Sequence, residues 1–211
     1  MTGFRTTLWS RLGEAAAGQP SALNDFATRY RAPVIAFLRR RGLNEADAED
    51  VSQEVFLRLL SRELLAQGDA AKGRFRNYLI GITLRVYSER RQREGALKRG
   101  GGQKHVPLDL APPPAAAAEF EGLWLQELVQ RSLDRVKADN ESQYQILCLA
   151  GEGLTPAEIA AKTGRSDGAT RVALHRARKR LAQAIKEEVA SYCSTQEEYE
   201  LELQTFSRFL G

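Results

Sequence analysis

An all-α protein of two helical domains joined by a flexible Gly/Pro/Ala-rich linker, the second containing a helix-turn-helix, is what this sequence predicts. Three observations carry that expectation. Apolar residues recur at helical spacing along most of the chain, which gathers them on one face of each helix. No run alternates apolar and polar residues between hairpin turns, as a half-buried sheet would require. Between Gly95 and Ala118 the composition changes to GGG and then PLDLAPPPAAAA, glycines that resist helix and prolines that stiffen, with almost nothing to bury.

The elements follow in order. Phe4, Leu8, Trp9 and Leu12 fit a first helix that breaks at Gly18-Gln19-Pro20. Ser21 opens a second, in which Leu23, Phe26, Tyr30, Val34, Phe37 and Leu38 keep helical spacing, Pro33 bends or divides the helix, and Gly42 ends it. Asn44 caps the next, NEADAEDVSQEVFLRLLSRELL, and after a Gly-containing loop the run RFRNYLIGITLRVYSERRQRE carries a core stripe of Phe75, Leu79, Ile82 and Val86. Beyond the linker, Phe120, Leu123, Trp124, Leu128 and Leu133 start a second helical unit that continues through Tyr144, Ile146, Leu147 and Leu149. The expected division is a first domain over residues 1–94, a linker over 95–118, a second domain over 119–189 and an acidic extension over 190–211.

The stretch LTPAEIAAKTGRSDGATRVALHRARKRL reads as two short helices around a tight turn. Thr155 caps the first, Pro156 occupies its first position and Glu158 completes a capping box. Gly164 supplies the turn, and Ser166 followed by Asp167 caps a second helix loaded with Arg, Lys and His. Thr170, Leu174, Ala177 and Leu181 fall near one face of it, leaving Arg171, His175, Arg178 and Lys179 on others, with Arg176 and Arg180 between. One face packs, and another meets phosphates and base edges.

At 211 residues the chain is long enough for two buried cores, and its net charge of +4 is mild. The mean hides an asymmetry: about +5 over residues 85–104, about +6 over 165–186 and about −5 over 187–211. Two basic patches imply two polyanion contacts. Two cysteines, Cys148 in an apolar run and Cys193 near the tail, give neither a disulfide framework nor zinc spacing. No paired-carboxylate pocket or metal pattern points to an enzyme, and no cofactor is expected. The N-terminus lacks a signal-peptide pattern and no segment approaches a membrane span, so the expected location is the cytoplasm, away from membranes.

Two further helices carry distinct chemistry. Asp47, Asp50 and Glu54 lie within about 60° of one another on a helical wheel, beside the apolar stripe of Ala48, Val51, Val55 and Leu59. Such an acidic edge suits a basic protein partner; the same acids would also satisfy the positive end of the helix dipole. In the following helix Arg74, Arg76, Arg85, Arg90, Arg91 and Arg93 surround Phe75, Tyr78 and Tyr87. Cations for phosphates next to rings for unstacked bases are the composition of a single-strand DNA contact.

ADAEDVSQEVFLRLL, then GRFRNYLIGITLRVYSERRQRE, a linker and the helix-turn-helix run, in that order, resemble the extracytoplasmic-function (ECF) sigma factors of bacterial RNA polymerase over residues 10–188. The resemblance implies that the acidic helix docks on the clamp of the polymerase core, that the following loop and helix read and help to open the −10 element, and that the second domain reads the −35 element. Core binding would pass to Asp47, Glu49, Asp50, Gln53 and Glu54. The melted −10 strand would fall to Arg74, Arg76, Tyr78, Arg85, Arg90 and Arg91, and duplex −35 readout to Ser166, Thr170, Arg171, His175, Arg176, Arg178 and Lys179. The chain departs from the family with Leu84-Arg85 where Arg-Asn is usual, Glu89 for Asp, and Val172-Ala173 where Ser-Arg is common.

An operator-binding helix-turn-helix regulator, acting without polymerase, is the rival; it leaves the acidic helix and the Arg-aromatic helix unexplained. Regulatory partners expected beside core and promoter DNA are an anti-sigma factor or a kinase, the latter acting at Ser52, where phosphate would add charge to the clamp-facing helix. In the tail, Thr195 and Glu198 form a capping box and Tyr199, Leu203, Phe206 and Leu210 share one face, predicting an acidic helix that packs on one of the domains.

Overall fold

The computed structural model describes residues 20–59, 75–99, 112–193 and 195–210. The expected helix at Phe4–Leu12, Arg74 and the Gly100-Gly101-Gly102 run lie outside the described residues. Among those described there are eight helices and no strand: α1 Pro20–Arg40, α2 Glu45–Leu59, α3 Phe75–Arg99, α4 Pro114–Asp139, α5 Glu141–Gly151, α6 Pro156–Thr163, α7 Asp167–Ala190 and α8 Gln196–Leu210. The fold divides into two compact units, Met1–Glu127 and Leu128–Gly211.

In the first unit α1 passes through Pro33 without dividing. The missing N–H costs one helical bond, and the burial of Tyr30, Val34, Phe37 and Leu38 on either side outweighs it. Gly42, at φ 89°, ends the chain's helical path there. Asn44 then caps α2, its Oδ1 accepting from the Asp47 amide at 2.8 Å. Ala48, Val51, Val55 and Leu59 of α2 meet the buried stripe of Phe75, Leu79, Ile82 and Val86 in α3. The Tyr30 and Phe75 rings pack edge to face with centroids 5.4 Å apart.

The linker expectation is corrected at both ends, because α3 continues to Arg99 and α4 begins at Pro114. Alanine is the best helix former and proline is tolerated at the first helical position, so Pro114 and Ala115–Ala118 are helical once the residues after them find a core. Phe120 and Trp124 supply it. Phe120 is buried with its ring 5.8 Å from that of Phe37, and Trp124 is buried beneath Arg76.

The second unit holds two apolar clusters. Val136, Leu147, Ala177 and Ala184, flanked by Leu133, Tyr144 and Leu181, join α4, α5 and α7. Ile146, Ile159 and Leu174 join α5, α6 and α7. Two ion pairs, Arg131 to Glu188 at 3.2 Å and Arg135 to Glu187 at 2.7 Å, fasten the end of α7 to α4. The tail helix α8 packs against α7.

Candidate nucleic-acid interface

The helix-turn-helix is built by local chemistry. Thr155 Oγ1 accepts from the Glu158 amide at 3.4 Å, and the Glu158 carboxylate accepts from the Thr155 amide at 2.7 Å, which closes the capping box over two orphan donors. Those bonds from Thr155 hold the exposed Glu158 carboxyl below its ordinary value. Gly164 sits at φ 67°, a left-handed turn that costs glycine nothing, and its amide donates to the Ala160 carbonyl. Ser166 Oγ accepts from the Ala169 amide at 3.3 Å and starts α7.

Along α7 the division into packed and free faces decides which side chains reach DNA. Thr170, Leu174 and Ala177 are buried, whereas Arg171, His175, Arg176, Arg178 and Lys179 are exposed. Thr170 is therefore a correction: at 0 % exposure its hydroxyl faces the core and meets no base edge. Ser166 is exposed but committed to its cap, and Arg171 leans back onto Asp167 at 3.1 Å. Arg176 and Lys179 line an open cleft of about 560 Å³ with Asp139, Asn140, Gln143, Arg180 and Gln183. Arg180 is paired with Asp139. Gln143 escaped the sequence reading, because nothing local to α5 announces that its first turn borders α7; Arg180 was placed on the basic helix but outside the readout set.

In the first unit the acidic edge of α2 faces the cations of α3 and α1. Asp47 pairs with Arg90, Glu49 with Arg31, and Glu54 with Arg58 and, at 3.5 Å, Arg93. Asp50 and Gln53 are exposed and make no ion pair or hydrogen bond among the described residues. Leu57, 72 % exposed, continues their face one turn on. Sequence reasoning missed Leu57; its offset from the buried stripe was the available signal. Ser52 is fully buried, so the expected kinase site is corrected: no enzyme reaches that hydroxyl in this fold.

The −10 set separates similarly. Arg76 is 3 % exposed, with its guanidinium 3.9 Å over the Trp124 ring and two of its N–H groups donating to Glu121, so its assignment to DNA is corrected to the core. Tyr78 is half-buried, and burial pushes its phenol up to about 12. Arg85 pairs with Glu89 at 3.0 Å and Arg90 with Glu94 at 3.0 Å as well as Asp47. Arg91 is exposed, with no ion pair among the described residues. No group of metal-ligating side chains occurs among the described residues, and no described helix is long and apolar enough to cross a membrane.

A capped helix-turn-helix with an exposed cationic face, preceded by a separate helical unit, defines a DNA-binding protein of modular build. The Sigma-70 region 2 family matches residues 26–96 and the Sigma-70, region 4 family matches residues 141–181. Together these cover just over half of the chain, which belongs to the sigma-70 family of transcription initiation factors. Membership makes it a non-catalytic factor whose partners are RNA polymerase core and promoter DNA. No curated protein matches the chain.

Proposed function

We propose that this chain is an ECF-type sigma factor, acting in the cytoplasm, that brings polymerase core to promoters by engaging a melted −10 strand with its first unit and a −35 duplex with its second. One observation supports the type most strongly: regions 2 and 4 follow one another with only residues 97–140 between them, and α4 fills 114–139 of that interval. The first domain then extends into α4 as far as Glu127, beyond the expected boundary.

Core docking is assigned to the face of Asp50, Gln53 and Leu57, a charged, a polar and an apolar group free to meet a partner together. Asp47, Glu49 and Glu54 act behind it, holding α3 and α1 through their arginines. On the DNA side Arg91 is free for phosphate, while Arg85 and Arg90 exchange a carboxylate for a phosphate on binding. His175, Arg176, Arg178 and Lys179 face the −35 duplex. Each module offers few base contacts, so linkage on one polymerase raises the effective concentration of each at its element. The operator-binding alternative gives no account of region 2.

A pull-down of purified bacterial polymerase core tests this reading, with wild type and Asp50→Arg compared in one buffer. Capture by wild type and loss in the variant is the expected result. Equal capture of core by both would remove α2 from the account, and capture by neither, in folded protein, would remove the function.

A further inference from the structure

Val172 is the one large apolar side chain of α7 that is exposed among the described residues, at 52 %. Leu174, Ala177, Ala184, Ile185 and Val189 of the same helix are buried, and Leu181 is partly buried. At 100° per residue Val172 lies about 180° from Leu181, which packs on the core cluster, so Val172 points most directly away from the protein. One turn earlier the same face carries Gly168 and Ala169, both exposed, and a Cβ built at Gly168 meets nothing within 4 Å. One and two turns later it carries His175, Arg176 and Lys179.

We infer that Val172 reads the C5-methyl group of a thymine in the −35 element; this rests on the −35 reading above and deepens it. Small residues at the start of α7 let its first turns approach the floor of a major groove, and the cations beyond hold the flanking phosphates. A valine at the apex has no donor or acceptor, so the apolar feature of the groove, the thymine methyl, is its complement. Its β-branched side chain is stiff in a helix and loses little freedom when the contact forms. Arg171, held on the flank by Asp167, does not compete for that position.

The test uses the full chain with polymerase core on a promoter it selects, after footprinting of the −35 segment. Each thymine in that segment is replaced in turn by deoxyuridine, which deletes only the methyl, and binding is measured for wild type and Val172→Ala. At one thymine, wild type should lose about fourfold in affinity, the scale of one buried methyl group. Val172→Ala should bind the thymine promoter about as weakly as wild type binds the uracil one, and be indifferent to the exchange at that position. The exposed site leaves the variant folded, which thermal melting checks. A protected −35 segment with no uracil-sensitive thymine, or with equal sensitivity in the variant, overturns the inference alone. Absence of any protected −35 segment overturns the promoter reading and the inference with it.

Discussion

Arg76 donates from Nε and Nη2 to the two carboxylate oxygens of Glu121, each at 2.8 Å, while its guanidinium plane lies over Trp124. The pair ties the start of α3 to the first half of α4 and is nearly closed to water, with the two side chains 3 % and 14 % exposed. A planar fork on a carboxylate, stacked on an indole, is chemistry that lysine does not reproduce.

Removing one partner of this pair takes from the other its two-bond fork in a nearly closed interior. Arg76→Ala should destabilise the first unit by about 3–5 kcal/mol, and Glu121→Ala by a similar amount. The double variant should cost clearly less than the sum, because the bidentate contact is lost only once. Urea denaturation of the four proteins gives the cycle. Full additivity would deny the pairing, and an unchanged midpoint for Arg76→Ala would return this arginine to the DNA-contacting set.

Thr170 carries a buried hydroxyl with no hydrogen-bond partner among the described residues. Valine has its shape without the hydroxyl, so Thr170→Val should stabilise the second unit by about 1 kcal/mol. Promoter affinity should be unchanged, because the side chain faces the core. A loss of −35 binding in the more stable variant would restore Thr170 to the interface.

Glu89 accepts from Arg58 at 2.6 Å and from Arg85 at 3.0 Å. Burial pushes its carboxyl up, but the hydrogen bonds and charges of Arg58 and Arg85 outweigh that and hold it below the ordinary 4.5. A depressed carboxylate contributes stability that is fully present above the unfolded value and is lost as pH falls through the folded one. Glu89→Gln should therefore be less stable than wild type at neutral pH, with the difference shrinking below pH 4.5 until the two converge in strong acid. Denaturation midpoints across that range measure it, and a gap that persists in strong acid would contradict the assignment.

Gly168 lies on the exposed side of α7 proposed to meet DNA, with open space where a side chain would go. Gly168→Leu should leave the fold intact, its helix propensity favouring α7 by up to about 1 kcal/mol. Promoter affinity should nevertheless fall, since the new side chain holds the helix off the groove. Tight promoter binding by this variant would mean that the first turn of α7 stays outside the groove.

Much of this architecture was legible because it is local. Thr155 with Glu158, Gly164 and Ser166 act within four residues of themselves, and the structure repeats what their spacing predicts. The distant partners of Arg76 and Arg90 were not legible, since Glu121 and Asp47 stand 45 and 43 residues away, whereas Glu94, the second partner of Arg90, lies one turn on. The alanines after Pro114 read as an empty tether by composition, and only the seats found by Phe120 and Trp124 make them helix. Thr170 shares the apolar stripe of Leu174 and Ala177, so its burial was available from the wheel. Val172, opposite that stripe, was available for the same reason.

Reconstituted transcription tests the central claim most directly. Purified bacterial core would be given a library of random promoter-length duplexes, with and without this chain, and the transcript starts sequenced. The account predicts starts that appear only with the chain, at a fixed distance downstream of a shared pair of spaced elements. Folded, core-bound protein that selects no common elements, or selection of the same duplexes by the chain alone as strongly as with core, would contradict it.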